Sequence, residues 1–90
     1  MISEAEANVI AQELVGKEVI PQLFTLEGSA IELAKNRFAQ DDDGYYLVDL
    51  NMRVPAKAIA GRYPLGDEVI LELDEHALSR RDLAKEIKWA

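Results

Sequence analysis

The sequence predicts an α+β domain: a small antiparallel sheet of three to four strands, arranged as a meander or a partly closed barrel, with an N-terminal and a C-terminal helix. Three observations lead there. Capping patterns, Ser3 with Glu6 and Ser79 with Asp82, precede apolar residues at three- and four-residue steps near both ends. Residues 45–54 and 68–74 alternate apolar and polar side chains with the period of a strand. Asp43-Gly44 and Gly66-Asp67 punctuate the middle of the chain as turns do. Strands in a run with helices at both ends argue for α+β, and 90 residues make one domain.

In the first helix, Ala5, Val9, Ala11, Leu14 and Val15 form the apolar stripe. Gly16 suits a left-handed C-terminal cap, and Lys17 suits the negative end of the helix dipole. In residues 17–27, Val19, Ile20, Phe24 and Leu26 favour an extended segment. Pro21 removes a backbone donor, so a strand here is expected at a sheet edge. The competing reading has Pro21 open a second helical turn.

Residues 30–39 also divide. Ser29 with Glu32 and a run of helix formers point one way. The Asp41-Asp42-Asp43-Gly44 turn favours a hairpin of residues 30–39 with 45–54. The first strand then needs a bulge, because Ile31 and Leu33 share one face while Ala34 and Phe38 share the other. Residues 45–54 read as one strand, with Tyr46, Val48, Leu50, Met52 and Val54 toward the core and Tyr45, Leu47, Asp49, Asn51 and Arg53 outward. Pro55 ends it, and residues 56–60 suit one helical turn. Residues 63–67 read as a turn, and residues 68–74 as a strand with Val69, Leu71 and Leu73 inward and Ile70 outward. The last helix starts near Ser79.

Apolar residues at 49% and charged residues at 30% are the composition of a folded chain. The lack of cysteine excludes disulfides and thiolate chemistry and favours a reducing compartment. The acidic residues 1–6 do not form a signal peptide. No apolar run approaches the roughly 18–20 residues of a membrane span. A cytoplasmic location without membrane attachment is therefore expected. The net charge of −7 opposes nucleic acids at long range. It is uneven: residues 35–62 balance five basic against four acidic groups, between more acidic ends.

Residues 19–23, Gly28 and the segment 31–33 before a hairpin turn resemble the scaffold domain of iron–sulfur cluster assembly proteins. That family holds its cluster with cysteines, which this chain lacks, so the resemblance implies only the hairpin.

Motifs for chemistry are sparse. Three adjacent carboxylates at 41–43 point in different directions and read as a turn rather than a calcium loop. The lone His76, beside Asp74 and Glu75, reads as a loop residue. Ser3, Ser29 and Ser79 read as caps, and the glycines are isolated rather than grouped around phosphate. No catalytic residue, metal ligand or cofactor is assigned, and no enzymatic activity is expected. Two surfaces remain. Leu47, Ile70, Arg80, Arg81 and Trp89 are candidates for contact with a protein partner or a second copy in a homodimer. Lys35, Arg37, Tyr45, Arg53, Lys57 and Arg62 are the candidate patch for single-stranded nucleic acid, the alternative reading. A non-enzymatic interaction module (adaptor, inhibitor or subunit of an assembly) is the expected function.

Overall fold

A computed structural model describes residues 2–24 and 30–78. Helix α1 (Glu4–Leu14) is followed by β1 (Glu18–Phe24), β2 (Ala30–Glu32), β3 (Asn36–Asp41), β4 (Gly44–Leu47), β5 (Met52–Arg53), a 3-10 turn at Ala56–Ala58, β6 (Ile59–Leu65), β7 (Glu68–Asp74) and a second 3-10 turn at Glu75–Ala77. The strands form one seven-stranded mixed sheet in the order β5-β4-β3-β1-β7-β6, with β2 paired to β1. This overturns the expectation of a three- to four-stranded antiparallel sheet between two terminal helices. One α-helix lies among the described residues, and the helix expected from Ser79 falls outside them. The meander fails because β1 and β7 run parallel, pairing Ile20 with Ile70 through Phe24 with Asp74. The partly closed barrel fails because no pairing joins the end strands β5 and β6 among the described residues.

The Ser3 side chain accepts a hydrogen bond from the Glu6 N–H at 3.1 Å, capping α1. Gly16, at φ +85°, lets the chain turn back at the other end. The buried stripe is Ala7, Ala11 and Leu14, with Val9 exposed and Ala5 outside it. The expected stripe through Ala5 and Val9 was thus rotated. Small side chains at Ala7 and Ala11 face the sheet, and the larger Ile10 and Val15 flank the contact.

β1 is the centre of the sheet, not its edge. It pairs with β7 on one side, and on the other with β3 over its first half and β2 over its second. Pro21 is accommodated at a gap in the ladder. Its carbonyl accepts from the Leu33 N–H at 2.8 Å. In an extended strand the N–H and carbonyl of one residue point to the same side, so the missing donor faces residues 33–35, between β2 and β3. The single bulged strand expected over residues 30–39 is instead two strands, β2 and β3, both paired with β1, and only β3 forms the hairpin with β4.

Residues 45–54 are not one strand. β4 ends at Leu47, residues 48–51 turn, and β5 returns against β4. Asn36, 2% exposed, fixes the turn by accepting the Asp49 N–H on Oδ1 at 2.8 Å. Asn51 takes φ +46°, a left-handed conformation that Asn tolerates better than most residues. The turn reverses the expected alternation. Leu47 is fully buried opposite Phe38, Val48 is 42% exposed, and Met52 and Val54 return to the core.

β6 runs through the residues read as a turn at 63–67, leaving Gly66-Asp67 as a two-residue hairpin loop to β7. Gly66 has φ +61°, as the first central position of a II′ hairpin requires. The core lies between α1 and one sheet face, where Val19, Leu23, Phe38, Leu47, Leu71 and Leu73 pack against Ala7, Ala11 and Leu14.

Candidate interaction surface

The face of the sheet opposite α1 carries the side chains that alternate with the core residues. On β6 and β7 these are Tyr63, Leu65, Glu68, Ile70 and Glu72. Tyr63 is 50% and Leu65 53% exposed, and both lie on the same face of one strand. Tyr63 stands directly opposite the half-buried Ile70, so the two side chains are neighbours. Val9 and Val48, the other exposed large apolar residues among those described, lie on α1 and in the 48–51 turn. β6 is the last strand of the sheet. A two-residue loop makes Leu65–Glu68 a hydrogen-bonded pair, and the pairs alternate from there. Pro64 opposite Val69 therefore turns its nitrogen to the free edge, where an added strand finds no donor.

Tyr63 Oη and Glu72 Oε2 both overlie Gly61: a Cβ there would stand 3.6 Å from the first and 3.7 Å from the second. Interaction with the Glu72 carboxylate, chiefly through a hydrogen-bonding contact, raises the Tyr63 pKa above the ordinary phenol value. The contact falls short of a well-formed hydrogen bond to Oε2, which is buried and has no partner among the described residues. Glu72→Gln is expected to bring the Tyr63 titration back toward the ordinary range, measured by NMR of ring-labelled tyrosine. An unchanged Tyr63 curve would show that the carboxylate is not its neighbour.

The sequence candidates separate on this structure. Ile70 is on the face just described. Leu47 is not: its outward placement is corrected by its complete burial. Arg80, Arg81 and Trp89 lie outside the described residues. The candidate nucleic-acid residues are distributed among several ion pairs. Lys35 Nζ lies 3.1 Å from Glu68 and 3.8 Å from Glu18. Arg62 meets Glu13 of α1 at 2.6 Å. Arg37 is exposed on β3, opposite Glu18 of β1. Tyr45 stacks on Phe38, with ring centroids 5.4 Å apart, and is half-buried against the core. Lys57 lines a cavity of about 270 Å³ beside the start of α1, together with Ser3, Glu4 and Asp74. Glu4 and Glu6 already complement the helix N-terminus there.

Arg53 makes two bonds to Asp41, at 2.7 and 2.6 Å, and lies 5.0 Å from the Tyr46 ring centroid. This fork joins the end of β3 to β5 and occupies a carboxylate that a calcium reading needs. Arg53, followed by the Asp43 N–H, holds the Asp41 carboxyl below its ordinary value against the opposing effect of desolvation. A depressed carboxylate stabilises the fold fully above the unfolded pKa, and the contribution disappears as pH falls through the folded value. The melting-temperature gap between the wild type and Arg53→Met is therefore expected to be constant from neutral pH down to roughly 5 and to narrow below roughly 4. A gap independent of pH would contradict the pair.

His76 is exposed, and its backbone N–H, not its ring, is bonded to Asp74 Oδ1 at 2.9 Å. Among the described residues no three His, Cys, Asp or Glu side chains are grouped to hold a metal ion, and no helix is long and apolar enough to cross a membrane. The residues sequence reasoning missed are Tyr63 and Leu65. Their signal was the alternation of residues 59–65 about Pro64, hidden because Tyr-Pro-Leu-Gly-Asp reads as a turn. No protein-family model, curated protein or solved structure matches the chain.

Proposed function

We propose that the chain is a non-enzymatic protein-interaction module that binds through the outer face of the β6–β7 hairpin. The observation that carries this reading is the pairing of Tyr63 and Leu65, half exposed and side by side over Ile70 on the last strand of the sheet. Single exposed apolar side chains are ordinary, whereas adjacent ones on a rigid strand form a surface that a partner can desolvate. Tyrosine is enriched at such contacts because it buries a large ring with few rotors to order. Cations of the alternative nucleic-acid patch are engaged by carboxylates of the chain itself, Lys35 by Glu68, Arg53 by Asp41 and Arg62 by Glu13, which favours the protein-interaction reading.

A photo-crosslinking amino acid at position 65, compared with one at exposed Asp42 in the β3–β4 turn, tests the reading in the cells that make the protein. Position 65 is expected to yield a discrete adduct with another polypeptide, and position 42 none. Absence of an adduct at position 65, or equal capture from both, would count against the hairpin as a binding face.

A further inference from the structure

The outer face of β6 and β7 is acidic as well as apolar. Glu68 and Glu72 stand on it and Asp67 lies in the loop between the two strands, whereas Asp74 lines the cavity beside the start of α1. Arg62 is held by Glu13 of α1, on the other face of the sheet. Glu68 has Lys35. Glu72 Oε2 is buried without a hydrogen-bond partner among the described residues, beside the Tyr63 phenol. A carboxylate oxygen removed from water and left without a donor is unfavourable, and a donor brought from outside removes that cost. Pro64 removes one donor from the free edge, which disfavours strand addition there relative to contact with the face.

Building on the interaction-module reading, we infer that this face receives a segment of a different protein that is both apolar and basic. Its apolar side chains cover Tyr63, Leu65 and Ile70. Its lysine or arginine reaches Glu72 Oε2 as the Tyr63 ring moves aside, forming a charge-assisted hydrogen bond. A second copy of the chain is a poor occupant. It brings a further net charge of −7 and sets two acidic hairpins against each other.

The test is an amide NMR titration of the full chain with blocked hexapeptides of alternating Leu-Arg, Gly-Arg and Leu-Glu. Leu-Arg is expected to give saturable shifts confined to residues 61–65 and 68–72, Gly-Arg much weaker ones, and Leu-Glu none. Glu72→Gln and Leu65→Ser, each checked by its own spectrum for an intact fold, are expected to weaken Leu-Arg binding by about fivefold or more. Three results would overturn the inference: shifts spread over α1 and residues 41–43, binding indifferent to Glu72→Gln, or concentration-dependent shifts at the same residues with no peptide, which make a second copy the occupant. If these fail while position 65 still crosslinks to a partner, the interaction reading stands and the basic partner does not. If crosslinking fails as well, both fall.

Discussion

Phe38→Ala is expected to lower stability by about 3–5 kcal/mol, the range for removing a fully buried aromatic ring, and to bring the melting temperature down by on the order of 20 °C in a circular-dichroism melt. Phe38 has no exposed surface and stands opposite Leu47 on β4. Its ring stacks on Tyr45 at an interplanar angle of 18°. Its backbone ties β3 to the turn after α1: Gly16 N–H donates to the Phe38 carbonyl at 2.7 Å, and Phe38 N–H donates to the Lys17 carbonyl at 2.9 Å. The alanine variant keeps those bonds but leaves a ring-sized space between the helix and the β3–β4 pair. A domain this small has only about 5–13 kcal/mol of stability in total, so the loss is a large fraction of it. A fall of only a few degrees would mean that β3 is not part of the core.

Leu47→Asp and its neighbour Val48→Asp are expected to differ sharply. Leu47 is fully buried, so a carboxylate there is ionised without solvent or forced neutral, and either state costs several kcal/mol. Val48 is 42% exposed in a turn, and its substitution is expected to change stability by about 0.5 kcal/mol or less. The pair discriminates between two phases of the same segment. An uninterrupted strand over 45–54 puts Leu47 outward and Val48 inward, and reverses the outcome. Denaturant titrations of the two variants under identical conditions measure it.

That reversal shows where the sequence was legible and where it was not. Local chemistry read well when one residue decided the outcome. Ser3 caps α1, Gly44 opens β4 at φ +118° directly after the Asp42-Asp43 turn, and β7 covers the strand expected at 68–74. Period-two alternation was less reliable, because it survives a reversal of the chain. Residues 48–51 turn back while Met52 and Val54 still fall on the expected phase, so the break leaves almost no trace in the pattern. What decides it is Asn36, a buried acceptor 13 residues away from Asp49, and no local window contains both.

Pro21 and Pro64 misled for the same physical reason. Each lacks a donor, and a missing donor is compatible with any place where no ladder bond is needed. For Pro21 that place is the gap between β2 and β3 beside a central strand; for Pro64 it is the free edge of β6. In sequence alone, the first suggests an edge and the second a turn. The parallel pairing of β1 with β7 joins residues about fifty positions apart and depends on both readings, so the sheet came out too small. The candidate surface was lost with it. Ile70 stands out from the alternation of β7, but the Tyr63 opposite it lies in a segment whose composition favours a turn.

The most direct measurement is co-purification from native cells of the tagged wild type and of a Tyr63→Ser/Leu65→Ser variant, with melting curves of both. The two substitutions touch exposed side chains, so the curves are expected to agree to within a few degrees while recovery of the bound protein falls about tenfold or more. Equal recovery from a variant that is equally stable would place the working surface elsewhere on the molecule.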